Sequence, residues 1–326
     1  LLCCTIATQV GNCAAIARVR TPEYSQEAKY LRDKLGLALI INPELEAAIE
    51  MAHILHLPSS LEVTNFAHGQ AQLIKYEIPE GSILDGTKLM DLGTRHHANI
   101  LIGAVERDDE VTIPSGDFVL RKGDKLSFVG ERRHTKEFFS HIGVNTHSVK
   151  NTLIIGGGKA AYYLAKQLIS RGIKVKIIEN SFERCEELSI LLPDAVIING
   201  DGTEQALLKE EGIETCQSFV PLTGIDEENI MLTLYAKQVS NAKVITKLNR
   251  ITFTNVINSL DLGSVISPKY ITSEAIIAYV RAKKNSMNCN IETLYHMYDS
   301  RVEAIEFFVS ENSNVTDIPP VSYTHL

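Results

Sequence analysis

The chain has 326 residues, of which 44% are hydrophobic and 22% charged, and such a composition is typical of globular proteins. Its length predicts two or three domains. The net charge is −8 and no stretch is rich in Lys and Arg, which disfavours nucleic acid as a partner. No apolar run reaches the length of about 18 residues that a membrane span needs.

The six cysteines include no Cys-x-x-Cys pair, which argues against a disulfide framework or a zinc ribbon and favours a reducing, cytoplasmic setting. The first residues lack the basic start and the cleavage pattern of a signal peptide. The chain opens at Leu1 within a predicted helix. We therefore expect the natural N-terminus to lie upstream.

Two short segments near the N-terminus have counterparts later in the chain. Ile16-Ala-Arg-Val-Arg20 aligns with Ile245-Thr-Lys-Leu-Asn249, 229 residues further on. Ile40-Ile-Asn-Pro43 aligns with Val265-Ile-Ser-Pro268 at an offset of 225, and the difference fits one change of loop length. We predict that residues 1–60 are the second half of an α/β domain that is repeated later.

Residues 71–142 have another pattern, in which alternating and β-branched strands are separated by turn signals. The predicted strands are 73–78, 100–105 and 125–129, and the turns lie at 79–81, 108–109, 114–117 and 122–124. This pattern predicts a small α+β module. Residues 302–308 resemble its first strand, which predicts the start of a second module over 300–326. Residues 321–326 fit nothing in the pattern and stay unassigned.

Strands and helices alternate between residues 151 and 285. The predicted strands are 152–155, 175–178, 195–198, 218–220, 244–245 and 265–266, and the predicted helices are 159–170, 182–192, 205–211, 226–239, 252–260 and 270–284. This alternation predicts an α/β fold with a Rossmann-like, doubly wound parallel sheet and helices on both faces.

A glycine-rich loop follows the first of these strands and opens a helix. Gly156 permits the tight turn, Gly158 lets a pyrophosphate approach the backbone, and Ala161 is small enough for close packing. The helix N-terminus attracts an anion. The predicted phosphate site comprises Gly156, Gly157, Gly158, Lys159 and Ala160, although Lys159 is alternatively a solvated first-turn lysine.

Glu179 ends the second strand, 23 residues after Gly156. An acidic residue at this place accepts hydrogen bonds from the hydroxyls of an adenosine ribose. Because its charge repels a 2′-phosphate, the sequence favours NAD over NADP. Asn180 follows directly and completes this part of the predicted site.

The ends of the next two strands supply further candidates. Asp201, beside Gly202, either contacts the adenosine or caps the helix that begins near Thr203. Thr223 ends the fourth strand and is a predicted contact to phosphate or ribose. The acidic residues 226–228 are expected only to favour the N-terminus of their helix.

The predicted cleft carries no recognisable catalytic group, so we predict that the protein is not an enzyme. A dehydrogenase presents a substrate and a proton carrier from a second domain. Tyr162-x-x-x-Lys166 has the spacing of a short-chain dehydrogenase pair but lies beside the glycine loop, on the wrong helix. His53-x-x-His56 and His96-His97 have no cysteine or carboxylate at a metal-ligand spacing nearby.

Several motifs, taken in order, resemble the TrkA family, the peripheral subunits of bacterial Trk potassium uptake systems, built from domains that regulate K⁺ conductance (RCK domains). They are Ile155-Gly-Gly-Gly-Lys159, Lys176-Ile-Ile-Glu179, Glu183-Arg-Cys-Glu-Glu-Leu188, Asn199-Gly-Asp-Gly-Thr203 and Thr223-Gly-Ile-Asp-Glu-Glu-Asn229. Ile16 to Arg20 with Pro22-Glu-Tyr24 resembles the first nucleotide-binding domain of the family. Ile113-Pro-Ser-Gly-Asp117 with Lys122-Gly-Asp124 resembles its C-terminal module.

The resemblance implies tandem pairs of a Rossmann-like RCK-N domain and a small RCK-C module. The expected layout is a truncated RCK-N over 1–60, RCK-C over 71–142, RCK-N over 151–285 and a truncated RCK-C over 300–326. Arg18, matched to the family's Ala-Arg-Val-Arg stretch, would hold phosphates in the first domain or at a domain interface. Gly156, Gly158, Glu179, Asp201 and Thr223 would contact the ligand.

The resemblance also implies a nucleotide-sensing regulatory subunit that binds NAD⁺ or NADH, and alternatively ATP or ADP, and gates K⁺ transport. Its implied partner is a membrane channel subunit of the TrkH or TrkG kind. The implied assembly is a tetrameric ring of identical subunits, peripheral on the inner face of the cell membrane. Two alternatives stay open: an NAD-dependent oxidoreductase of the saccharopine-dehydrogenase type, and an RCK regulator of another cation channel or antiporter.

Overall fold

The computed structural model describes residues 1–11, 13–20, 28–57, 59–66, 70–95, 99–144, 147–250, 257, 260–285, 291–298, 301–307 and 309. Nearly all of the predicted helix at 252–260 lies outside these ranges, as do Pro22 to Tyr24, His96-His97 and residues 321–326. The chain forms two compact units, Leu1–Thr272 and Ser273–Leu326. No described helix combines the length and the apolar character needed to cross a membrane.

The described helices are α1 Leu2–Val10, α2 Ala28–Leu35, α3 Pro43–His56, α4 Leu89–Arg95, α5 Arg132–His141, α6 Lys159–Ile169, α7 Phe182–Leu191, α8 Gln205–Glu210, α9 Asp226–Val239 and α10 Pro268–Asn285. The strands are β1 Ile16–Arg18, β2 Leu39–Ile41, β3 Glu62–Phe66, β4 Ala71–Glu77, β5 Leu101–Arg107, β6 Glu110–Thr112, β7 Lys125–Glu131, β8 Asn151–Ile155, β9 Lys174–Glu179, β10 Val196–Asn199, β11 Ser218–Pro221, β12 Lys243–Lys247, β13 Ser264–Ile266, β14 Ile291–Met297 and β15 Val302–Phe307.

Six parallel strands form the main sheet in the order β10-β9-β8-β11-β12-β13. Strand β8 is buried on both faces: Ile154 packs in one hydrophobic cluster, and Leu153 and Ile155 pack in another. This explains why the strand is a continuous apolar run rather than an alternating one. From β8 the chain adds β9 and β10 on one side of the sheet and then β11, β12 and β13 on the other, so the strand order reverses between β8 and β11. The predicted doubly wound parallel sheet is confirmed.

The first two strands repeat the register of the last two strands of this sheet. In the parallel pair β1–β2, Arg18 lies opposite Ile41. In the pair β12–β13, Lys247 lies opposite Ile266. These are the residues that the offsets of 229 and 225 relate, so the sequence repeat has a matching strand register.

Helix α3 packs against α6, the helix that the glycine loop opens. Small residues from both helices, Ala47, Ala48, Ala52, Ala160, Ala161 and Ala165, lie buried in one hydrophobic cluster. Three hydrogen bonds flank this contact: Asn42 Nδ2 to Tyr163 Oη at 3.0 Å, Arg171 Nη1 to the Ala52 carbonyl at 3.0 Å, and the Val149 N–H to the Leu55 carbonyl at 3.2 Å. The N-terminal segment is thereby joined to the domain that contains the main sheet.

A five-stranded antiparallel sheet, β3-β4-β7-β5-β6, forms the module that follows. It includes β3, which begins before the predicted start at residue 71. The turn into β3 contacts the main sheet, because Lys243 Nζ donates to the Ser60 carbonyl at 2.6 Å and Ser264 Oγ donates to the Leu61 carbonyl at 2.7 Å. In the second unit, the predicted strand at 302–308 forms β15 and pairs antiparallel with β14, which was not predicted.

We predict that Ala48→Leu destabilises the protein by about 1–3 kcal/mol, because a larger side chain overpacks the α3–α6 contact. Denaturant unfolding measures this change. Ala206→Leu on α8 is the matched control, since Ala206 is exposed. Equal unfolding midpoints for the two variants would contradict the importance of close α3–α6 packing.

Candidate nucleotide-binding site

The glycine loop connects the carboxyl end of β8 to α6, at the point where the strand order reverses. Gly156 has a φ of 94°, and a Cβ there would lie 3.1 Å from the Leu222 carbonyl oxygen. At Gly157 a Cβ would lie 2.6 Å from the Leu188 side chain. At Gly158 a Cβ would meet no atom within 4 Å. The fold thus requires glycine at position 156, and a side chain at position 157 would displace Leu188, whereas Gly158 leaves space open in front of the loop.

The N-terminus of α6 faces this space without a side-chain cap. Gly158 is the N-cap residue and offers no side chain, and the first turn contains no acidic residue. Lys159 is exposed and Ala160 is buried. The first N–H groups of a helix have no partner within the helix. Here they are available to an anion such as a diphosphate.

Glu179 contacts the loop directly, which the sequence did not predict. Its Oε2 accepts a 2.6 Å hydrogen bond from the Gly157 N–H, and its Oε1 accepts one of 2.8 Å from the Ser181 N–H. Arg184 Nε donates to the Gly157 carbonyl at 2.7 Å. The Gly157 residue is therefore held from both sides. Each carboxylate oxygen can accept a further hydrogen bond, so Glu179 keeps the capacity to bind ribose hydroxyls.

Asn199, at the end of β10, fixes the end of β9. Its Nδ2 donates to the carbonyl oxygens of Glu179 and Asn180, both at 3.1 Å, and Asn180 itself is exposed. This role of Asn199 was missed, although a polar residue at the carboxyl end of an apolar strand is the signal that marks it.

Asp201 forms a local turn rather than a helix cap. Its Oδ1 accepts hydrogen bonds from the N–H and the hydroxyl of Thr203, and these bonds lower the pKa of Asp201. Helix α8 begins at Gln205 with Glu204 as its N-cap, so the predicted capping role is wrong. Gly202 is buried, and a Cβ there would lie 2.3 Å from Ile155. The predicted contact of Asp201 with adenosine stays a prediction.

Thr223 lies beside the loop, after β11, and is bonded on several sides. Its N–H donates to Asn229 Oδ1 at 2.9 Å, and its hydroxyl bonds the backbone of Ile225. Lys247 Nζ, from β12, donates to the Thr223 carbonyl at 2.7 Å. Asn229 and Lys247 were not predicted. Both follow the rule that polar residues gather near the carboxyl ends of parallel strands.

The acidic cluster after Thr223 stabilises the fold beyond its helix. Asp226 accepts hydrogen bonds from the N–H groups of Asn249 and Arg250, both at 2.8 Å. Burial lowers the pKa of Lys247, and the nearby carboxylates of Asp226 and Glu44 oppose this shift. The expectation that the cluster only favours the N-terminus of its helix is therefore incomplete, because Asp226 also holds the segment after β12.

Arg18 contacts Glu44, at the start of α3. Arg18 Nη2 lies 3.4 Å from Glu44 Oε1, and Arg20 Nε lies 2.8 Å from the same oxygen. The charge of Glu44 also raises the pKa of Lys247 in β12. Glu44 therefore links the N-terminal arginines electrostatically to the main sheet. A phosphate contact of Arg18 stays a prediction.

Tyr162-x-x-x-Lys166 and His53-x-x-His56, for which no catalytic or metal-binding role was predicted, lie on helices. Tyr162 is buried in α6, and Lys166 Nζ lies 6.0 Å from the centre of its ring. His53 and His56 occupy the last turn of α3. In the described part of the chain no cluster of three or more His, Cys, Asp or Glu side chains has a metal-binding arrangement.

The chain matches two protein-family models: the TrkA-N domain over residues 152–268 and the TrkA-C domain over residues 73–143. It is 32% identical over 305 residues to the Trk system potassium uptake protein trkA homolog 1 of Methanosarcina mazei, covering 93% of this chain and 73% of that protein. It is 30% identical over 306 residues to the Trk system potassium uptake protein TrkA of Haemophilus influenzae, covering 93% of this chain and 65% of that one.

Solved structures share the fold. The GsuK channel superposes with a TM-score of 0.64 at 17% identity, covering 90% of this chain and 51% of that chain. The GsuK channel bound to NAD superposes with a TM-score of 0.62 at 18% identity, with the same coverage. Since sequence identity to the Methanosarcina relative extends over nearly the whole chain, the protein belongs to the TrkA family.

Proposed function

We propose that the protein is a nucleotide-sensing regulatory subunit of a Trk-type potassium uptake system, and that it binds NAD⁺ or NADH at the glycine loop. One observation carries the proposal. An uncapped helix N-terminus faces open space at Gly158, beside a carboxylate fixed to the same loop. The first feature suits a diphosphate and the second suits a ribose. The names of the curated relatives supply the connection to potassium uptake.

The proposed ligand contacts begin with the loop and helix start, Gly156, Gly157, Gly158, Lys159 and Ala160. Around them lie Glu179, Asn180, Asp201, Gly202 and Thr223. ATP or ADP shares the phosphate and ribose chemistry and would use the same contacts. Arg18 reaches phosphates only if its pairing with Glu44 changes.

The proposed assembly follows from the family. Four copies form a ring on the cytoplasmic face of the membrane, against a channel subunit of the TrkH or TrkG kind. The proposed domain layout is RCK-N over 1–60, RCK-C over 71–142, RCK-N over 151–285 and RCK-C over 300–326. A ligand shifts such an assembly between two shapes only by binding one shape more tightly than the other.

We predict that Gly158→Ala lowers NAD affinity by about tenfold or more, because the added methyl group occupies the space the diphosphate needs. The variant should fold normally, since its Cβ meets no atom within 4 Å. Calorimetric titration with NAD⁺ and NADH measures the affinity. Gly93→Ala, also in open space but in the other module, is the control and should bind normally.

The same pair of substitutions in the full-length protein tests the regulatory part of the proposal. In cells that depend on this system, Gly158→Ala should uncouple K⁺ uptake from nucleotide supply, whereas Gly93→Ala should not. Loss of NAD binding without any change in K⁺ uptake would support NAD as the ligand of the glycine loop. It would contradict the proposal that this ligand regulates K⁺ uptake.

We predict that the protein prefers NAD(H) over NADP(H), and that Glu179→Gln weakens NAD binding and reduces this preference. The substitution removes the charge that repels a 2′-phosphate and one of the two oxygens that accept backbone N–H groups. Titration with both cofactors gives the ratio of affinities. Glu183→Gln, an exposed residue nearby on α7, should leave the ratio unchanged. A wild-type protein that binds both cofactors equally would contradict the role of Glu179.

We infer that the bound cofactor is sensed and not consumed. Deuterium at C4 of bound NADH should therefore be retained during prolonged incubation with candidate ketone and imine acceptors, as mass spectrometry would show. Loss of the label with the wild-type protein, but not with Gly158→Ala, would identify an oxidoreductase instead.

A further inference from the structure

A cavity between the last turn of α3 and the first turns of α5 lies apart from the residues of the nucleotide site. Its polar lining consists of His53, His56, Gln72, Arg132, Thr135 and Lys136. Its volume is about 20 Å³. A cavity of this size holds one or two atoms as large as a water oxygen. We call it the α3–α5 cavity.

The charges around the α3–α5 cavity are positive. Arg132 and Lys136 line it and are exposed, and the ion pairs described for α5 are made by Arg133 and His134 instead. Burial, then the positive charges of Arg171 and Arg132, lowers the pKa of His53 to about 4. Burial and the charges of Lys136, Arg132 and Arg171 also lower the pKa of His56. The two charged side chains that line the cavity, Arg132 and Lys136, are both cations, so the cavity favours an anion.

Thr135 supplies a second, independent observation. Its side chain is fully buried, and its Oγ1 has no hydrogen-bond partner in the described part of the protein. A buried hydroxyl without a partner destabilises a fold. The hydroxyl lines a cavity where an acceptor atom can enter.

The helix that carries Thr135 adds to the same potential. Helix α5 has ten residues, and Glu131, its N-cap residue, makes no side-chain capping bond. Glu131 instead lies 3.8 Å from His134, and it is mostly exposed. The first N–H groups of α5 therefore remain available, and helix N-termini favour negative charge.

We propose that the α3–α5 cavity binds a phosphate group, with the Thr135 hydroxyl donating to one phosphate oxygen and Arg132 and Lys136 contacting the others. The cavity admits only one or two oxygens, so the rest of the ligand lies at its mouth, beside these two exposed cations. Free inorganic phosphate and the terminal phosphate of a phosphomonoester share this chemistry.

A phosphate at this place would join α3 to the module. The cavity is lined by His53 and His56 on α3 and by Arg132, Thr135 and Lys136 on α5. The other end of α3 bonds α6 through Asn42 and Tyr163. The proposed site therefore acts on the same helix as the nucleotide cleft, although it shares none of its residues.

Titration of the full chain with inorganic phosphate at constant ionic strength tests the proposal, with the imidazole resonances of His53 and His56 as the readout. Phosphate should shift both resonances and raise both pKa values, because an anion stabilises the charged imidazole. Arg132→Ala should lower phosphate affinity by about tenfold. Arg133→Ala is the matched control, because the Arg133 side chain pairs with Glu137 at 2.8 Å. This variant should bind phosphate with the wild-type affinity.

A second variant separates binding from folding. Thr135→Val should raise the melting temperature of the phosphate-free protein and abolish most of the additional stabilisation by phosphate. Glycerol 3-phosphate, compared with inorganic phosphate, identifies the source: tighter binding of the ester points to a phosphomonoester, and weaker binding points to the free ion. Unchanged histidine resonances at saturating phosphate, or equal affinities of Arg132→Ala and Arg133→Ala, would overturn the proposal and leave a water-filled cavity.

Discussion

The hydrogen bond from the Gly157 N–H to the Glu179 carboxylate is the contact on which the proposed nucleotide site depends. A hydrogen bond to a charged group contributes about 1.5–3 kcal/mol. With Arg184 on the Gly157 carbonyl, it fixes the loop after β8 to the end of β9. The separation between the helix N-terminus and the carboxylate is therefore set before any ligand arrives. Such preorganisation lowers the entropy that binding must overcome.

Helix α3 connects this site to the rest of the chain. It has 14 residues and is therefore about 21 Å long. Its N-terminal end bonds α6 through Asn42, and its last turn lines the α3–α5 cavity. Because its alanines pack closely against α6, the two helices form one packed unit. A rigid element that contacts the neighbourhood of both proposed sites is a physical basis for coupling two ligands.

The sequence predicted the sheet well because the strands of the main fold are short apolar runs that alternate with helix-length segments. It also located Gly156 and Glu179, whose spacing is set by the length of one βαβ unit. It did not find the roles of Asn199, Asn229 and Lys247, because these polar residues act through backbone carbonyls that only the folded chain brings near. The α3–α6 contact was missed for a similar reason, since alanines carry no periodic signal of their own. The repeat of β1–β2 was visible because strand register preserves its spacing.

Glu44 interacts electrostatically with cations of both the N-terminal segment and the main sheet. Its side chain is only 15% exposed, it pairs with Arg18 and Arg20 through one oxygen, and its other oxygen is buried without a hydrogen-bond partner in the described residues. A carboxylate so placed is tolerable only while cations surround it, because removing charges from water is costly. Lys247 is one of the cations whose charge it stabilises, and the ammonium group of Lys247 is bonded to the Thr223 carbonyl at the edge of the proposed nucleotide site. A movement of α3 relative to the sheet would therefore change the electrostatic interaction between Glu44 and Lys247. A ligand at the proposed nucleotide site that favours one arrangement of these two charges would favour one position of the helix.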